Sequence, residues 1–290
     1  MANQSDGDAK CVGRFRLTVT PDLVVAGRSQ SIYEVDVSTV PIPPGGIQSL
    51  WDHRLTRIRS LSPPSGLATS VVRTFDLSPG VRGAWYIVNS YAPELRELEA
   101  IMPANDQAVL AVRGGEAGKE ATVETLVRNV LSAYVRDTVQ GFCVGHGAIT
   151  SEPGLNEETR ITFQHRKLHQ LSVRFETHTI EEPDTHTYSN VDEERQVVAA
   201  GGGKLVVLRD QTRSSAALQG KEIWILVTPK GETPFVRFTW HFAGVPGNSS
   251  HPMINLVATA PATDQAELET IWESMLHSLK QVPPSPQSPQ

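Results

Sequence analysis

The stretch Gln107–Arg136, QAVLAVRGGEAGKEATVETLVRNVLSAYVR, carries two hydrophobic patterns in succession. Its first part, AVLAV from Ala108, is an unbroken apolar run of strand length and reads as a buried strand. From Lys119 onward the apolar residues Val123, Leu126, Val127, Val130, Leu131 and Tyr134 fall at offsets 0, 3, 4, 7, 8 and 11, one stripe of a helix. The same pair recurs near the end of the chain. There INLVA from Ile254 precedes Leu268, Ile271, Trp272, Met275, Leu276 and Leu279, which repeat those offsets, and Val109 to Val123 has the same spacing as Ile254 to Leu268.

Working outward, each half holds an earlier helical stripe. It is Ile47, Leu50, Trp51, Leu55 and Ile58 in the first half and, more weakly, Tyr188, Val191, Arg195, Val198 and Ala199 in the second. Four strand-like runs lie between the paired helices: TSVVRTFDL, GAWYIVN, ELEAIM and QAVLAV, then KLVVLRDQT, EIWILVT, FVRFTWHF and MINLVA. Proline and glycine breakers such as SPG before Val81 make them antiparallel hairpins. Two further strands open each half, GRFRLTV and IYEVDVS, then RITFQHR and LSVRFETHT. The expected fold is therefore α+β, with two similar domains, each an antiparallel sheet with helices packed on one face. The divisions are a disordered leader at 1–10, an N-terminal domain at 11–138, a C-terminal domain at 139–281 and a disordered tail at 282–290. A single α+β domain with coincident helix spacing is the alternative.

Composition narrows the function. A net charge of −6 argues against phosphate backbones and anionic membranes as partners, so no nucleic acid is expected. No apolar run reaches the roughly 18 residues of a bilayer span. The segment MANQSDGDAK has no basic n-region and no apolar h-region, which also fits a mature chain whose export signal has been removed.

The segment GFCVGHGAI, Gly141–Ile149, fits G-x-nucleophile-x-G with Cys143 in the serine position. A nucleophile elbow needs a strand before it and a helix N-terminus behind it. Here the polar helix exit YVRDTVQ precedes and a proline-broken loop follows, so Gly141, Gly145 and Gly147 read as shaping a turn. Cys11 occupies the matching place in CVGRF. Two readings of the pair stand open: one long-loop Cys11–Cys143 disulfide, or two buried thiols in a reducing compartment.

Other candidates are weaker. His165 and His169 are four apart but sit at a hairpin tip, where a solvated turn is expected rather than a metal site, with His178 and His186 downstream. AGGGKLVV from Ala200 lacks phosphate-loop spacing and reads as a helix C-cap. NSS at Asn248 matches a glycosylation acceptor, a tripeptide common by chance. The pairs Glu157 and Glu158, and Glu181 and Glu182, read as solvated faces. No acid, base, nucleophile or metal set emerges, so no catalytic residue, cofactor or metal is expected, and a binder is favoured over an enzyme.

The order CVGRFRLTVTPDL, RGAWYIVN, GFCVGHGAIT and RFTWHFAGVPGNSSHPMINL resembles the immunity proteins that neutralise type VI secretion lipase effectors of the fourth phospholipase class. The resemblance spans about residues 11 to 281, and its most specific parts are the paired openings at Cys11 and Cys143. It implies a periplasmic protein, a monomer when free, that binds a cognate phospholipase of α/β-hydrolase type. In that family two domains grip the effector's mobile lid like a claw. No contact residue follows from the shared motifs; the loops Pro41 to Gly46, Glu181 to Ser189 and Gly244 to Pro252 are candidates by length and polarity. A ligand carrier, or a hydrolase built on Cys143, are the readings from other classes.

Overall fold

The computed structural model describes residues 8–151, 156–182 and 190–283. In chain order the elements begin with β1 (Asp8–Val12), β2 (Phe15–Val19), β3 (Leu23–Ile32), β4 (Val35–Pro41) and helix α1 (Gly46–Arg59). Then come β5 (Val71–Ser78), β6 (Val81–Ile87), β7 (Leu95–Ala104), β8 (Gln107–Glu116), α2 (Glu120–Ser132), β9 (Tyr134–Arg136), β10 (Phe142–Val144) and β11 (Gly147–Ile149). The remainder is β12 (Glu158–His165), β13 (Ser172–His178), α3 (Val191–Ala200), β14 (Lys204–Ser215), β15 (Leu218–Thr228), β16 (Phe235–Phe242), β17 (Met253–Pro261), a 3-10 turn, α4 (Gln265–Ser278) and β18 (Lys280–Gln281). The fold is α+β and its paired strands are antiparallel.

The described residues form two compact units, one made of 8–29 with 156–283 and the other of 30–151. In the second, the strand order is β4-β8-β7-β6-β5, and the last residues of β3 pair with β4. In the first it is β14-β15-β16-β17-β13-β12. The chain's opening strands β1 and β2 thus belong with its second half, whereas the expected division at 138 and 139 assigns them to the first. Residues 8–10, expected in a disordered leader, are part of β1. Val282, expected in a disordered tail, is buried, and its N–H donates to the Arg14 carbonyl at 2.8 Å. Residues 1–7 and 284–290 lie outside the described residues.

The helices do not share a face of either sheet. On one side of unit 30–151, Val123, Val127, Val130 and Leu131 of α2 pack with Trp85, Leu98, Ala100, Val109 and Ala111. On the other, Trp51, Leu55 and Ile58 of α1 pack with the interleaved Ala84, Tyr86, Ile101, Ala108 and Leu110. The unit of 8–29 with 156–283 repeats this: α4 covers Trp224, Phe238 and Leu256, while α3 lies with Leu205, Ile223, Ile225 and Val227. The expectation of helices on one face is corrected, and the reason is in the strands. Alternation marks a sheet with one solvated face, whereas AVLAV is apolar at every position because both of its faces are covered. Each fully covered Leu, Ile or Val contributes roughly 1.5–3 kcal/mol.

Strand β3 has no counterpart in the sequence reading. Its centre, Val25 to Ser29, is exposed, and the run IYEVDVS crosses a tight turn, with Tyr33 and Glu34 both left-handed at φ 52° and 60°. Neither residue is a usual occupant of such a turn, so the hairpin lacks its ordinary sequence signal.

Candidate functional site

Two small hairpins dominate the chemistry considered above. In one, β1 pairs with β2, Val12 lies opposite Phe15, and Gly13 and Arg14 form the turn. In the other, β10 pairs with β11, Val144 lies opposite Gly147, and Gly145 and His146 form the turn. Gly13 and Gly145 share a left-handed φ of 56° and 59°. At Gly145 a side chain is also excluded by space, because a Cβ would meet the Thr39 hydroxyl oxygen at 2.1 Å. Each hairpin is completed by the strand that leaves a long helix: β18 after α4 pairs with β2, and β9 after α2 pairs with β11.

Cys143 has nothing of a nucleophile. It is 1% exposed, both cysteines are disulfide-bonded, and neither is free. The Gln30 side-chain amide donates to the Cys143 carbonyl at 2.7 Å, so the glycines around it serve a buried turn rather than an oxyanion. A thiolate hydrolase at this position is therefore overturned, since attack requires a free thiolate.

The histidine hairpin also differs from expectation. His165 is buried, not solvated, and its Nδ1 accepts the backbone N–H groups of Lys167 and Leu168 at 3.2 and 3.0 Å. It organises the β12–β13 turn from within. His169 and His178 are exposed, and His186 lies outside the described residues. Among the described residues no cluster could hold a metal ion.

Glu157, read above as part of a solvated face, is buried. Its two carboxylate oxygens accept from Arg14 Nε and Nη2 at 2.7 and 2.6 Å. Arg14 is the turn residue of the first hairpin, so a forked ion pair fastens that hairpin to the unit formed with 156–283. No local pattern marks either residue, because a lone charge beside apolar positions looks the same whether paired or solvated. Glu181 and Glu182 are exposed, and the loop Glu181 to Ser189 lies outside the described residues from 183 onward.

The most buried carboxylate cluster lies in the same unit. Glu222 is 0% exposed and accepts from Trp272 Nε1 at 2.7 Å, Gln211 Nε2 at 2.5 Å and Arg213 Nη1 at 2.9 Å. Burial pushes its carboxyl up, and the hydrogen bonds from Trp272 and Gln211 with the Arg213 charge more than offset this, holding it below the usual range. A raised carboxyl in an apolar pocket makes a general acid. Glu222 is the opposite case, ionised and saturated with donors, and suits a structural role. Glu99 is also fully buried, with Arg54 and Arg57 of α1 at 2.5 and 2.7 Å.

Concavities among the described residues include the following two. One, about 440 Å³, is lined by Val88, Leu95, Arg113 and Gly114 among others. The other, about 400 Å³, lies between β2 and the end of α4. Neither gathers a nucleophile and a base. Among the described residues, no helix is long and apolar enough to cross a membrane.

Among the described residues the antiparallel sheets carry the buried carboxylates Glu99, Glu157 and Glu222, each of which meets an arginine. The fold matches the crystal structure of the Tle4–Tli4 complex with a TM-score of 0.80 and 15% identity, covering 98% of this chain and 100% of that one. It matches the apo structure of immunity protein TplEi of the type VI secretion system of Pseudomonas aeruginosa at TM-score 0.76 and 16% identity, over 96% and 97%. TplEi complexed with an "L" peptide matches at TM-score 0.73 and 15% identity, over 97% and 100%. No curated protein matches the sequence. Residues 137–283 match the family described as Tle cognate immunity protein 4, C-terminal domain, and the chain belongs to that family.

Proposed function

We propose that this protein binds a cognate type VI secretion phospholipase effector of α/β-hydrolase type and inhibits it without chemistry of its own. The observation that carries the reading is the family match over 137–283, in a chain whose whole length follows the fold of immunity proteins. The buried, disulfide-bonded cysteines and the donor-saturated carboxylates support a role without catalysis. Inhibition acts by holding the effector's lid closed or by covering its active site. A binder selective for the closed conformer shifts the population away from the active one.

The compartment in this reading is the periplasm, which the oxidised cysteines support, since disulfides persist in oxidising compartments. Cys11 and Cys143 are taken as the two ends of one bridge. The segments 11–138 and 139–281 are taken as two copies of one plan, each β-β-α-β-β-β-β-α in sequence.

The test is co-purification with the lipase encoded in the adjacent reading frame and titration of its phospholipid hydrolysis. Complete inhibition at one equivalent is expected. Absence of binding to that lipase removes the reading.

A further inference from the structure

We propose that the concavity of about 400 Å³ between β2 and the end of α4 is a docking site for an acidic segment of the partner protein, held by Arg16, Lys280 and His277. The inference rests on the binding role proposed above and adds where, and by what chemistry, part of the partner is held.

The starting point is strand register. β18 pairs with β2 so that Lys280 lies directly opposite Arg16. Residues directly opposite on antiparallel strands project to the same face with Cβ atoms about 4.5–5.5 Å apart, and like charges placed so are destabilising. Among the described residues neither side chain has an ion-pair partner, nor does His277 in the last turn of α4. The residues lining the concavity include no carboxylate. Elsewhere Arg14, Arg54, Arg96, Arg160, Arg213 and Arg237 each meet a carboxylate.

The carbonyl end of α4 favours nearby cations and accounts in part for Lys280. It does not account for Arg16, which stands half-buried on a strand. The walls are fixed: the Ser278 hydroxyl accepts the Thr18 N–H at 2.8 Å, and Leu17 is 2% exposed. Cations held on a fixed surface bind an anionic group with less ordering cost.

Charge complementarity selects the occupant. The chain carries a net charge of −6, so an acidic partner surface is repelled by most of it and attracted here. The groove then sets where such a surface approaches and in which orientation. The volume falls in the range of clefts that enclose a small ligand or a few side chains' worth of atoms.

The experiment measures association of the full chain with the lipase from the adjacent reading frame at about 50 and 200 mM salt. It compares wild type, R16E/K280E, the neutral R16Q/K280Q and a control reversal on an exposed strand position, K204E. The reversal is expected to weaken binding at low salt more than tenfold, chiefly through slower association, with a smaller loss at high salt. The neutral pair should lie between, and K204E should match wild type. Thermal melting should show the neutral R16Q/K280Q as stable as wild type or more so, because a like-charge pair has been removed, whereas R16E/K280E keeps a like-charge pair of opposite sign and should melt no higher than wild type.

Equal binding by wild type and R16E/K280E at both salts overturns the site while leaving the inhibitory role standing. Failure of wild type itself to bind removes the role and the site together. In a parallel titration with inorganic phosphate and with anionic vesicles, a loss confined to those ligands, with lipase binding intact, assigns the groove to a different anion and also overturns the proposal.

Discussion

Arg14 and Glu157, 143 positions apart in sequence, meet in a buried forked ion pair with contacts of 2.7 and 2.6 Å. The pair joins the turn of the first hairpin to the start of β12, and Val282 adds a backbone hydrogen bond to the Arg14 carbonyl. Removing one partner strands the other charge away from water. Glu157→Gln or Arg14→Met is therefore expected to lose about 3–5 kcal/mol in urea unfolding. The double change R14M/E157L should recover most of that loss; a double variant as unstable as the singles would mean that the pair is not the origin of the effect.

The proposed Cys11–Cys143 bridge closes a long loop. By loop-closure reasoning, its removal should lower stability by roughly 2–5 kcal/mol. Non-reducing peptide mapping should recover one linked pair of fragments containing Cys11 and Cys143. The variant C11A/C143A should unfold at lower urea than wild type and no longer respond to reductant.

Glu222 and Glu273 both have carboxyls held below the usual 4.5. For Glu222 burial acts upward and is outweighed by donors, while for Glu273 the Arg213 hydrogen bond is the leading cause. A carboxyl depressed in the folded state binds fewer protons there than in the unfolded state. Its stabilisation is thus complete above the unfolded value and is lost as pH falls through the folded one. Stability measured by urea should decline between roughly pH 5 and pH 3. In E222Q that decline should be shallower and should start from a lower value at neutral pH, because Arg213 loses a buried partner.

The β14–β15 hairpin turns on Ala216 and Ala217, both left-handed at φ 53° and 63°. Each such alanine costs roughly 1–2 kcal/mol, and Asn-Gly is the sequence that relieves it. A216N/A217G is expected to raise stability by about 1 kcal/mol, seen as a melting temperature higher by roughly 2–4 °C. A lower melting temperature would show that the alanine side chains are needed where they pack.

Much of the fold is legible in the order of residues. The stripes of α2 and α4 place Val127 and Trp272 in the cores, and both are 0% exposed. The runs GAWYIVN and EIWILVT become β6 and β15 because apolar content and flanking breakers act over a few residues. Strand β3 is not legible, because its middle faces water and its turn residues Tyr33 and Glu34 carry no turn signal. Of the candidate site, Cys11 and Cys143 stand out by scarcity. Arg16 does not, since its meaning comes only from Lys280 lying opposite it.

By itself the sequence determined the α+β class, the long helices α2 and α4 and strands such as β6 and β15, all of which follow from local periodicity and backbone preference. Only the tertiary structure decided that α1 and α2 cover opposite faces of one sheet and that the first hairpin folds with residues 156–283. It also decided that Glu157 is a buried partner rather than a solvated charge. The reason is that hydrophobic period fixes which residues avoid water, whereas register, sheet face and ion-pair choice depend on contacts between segments far apart in the chain.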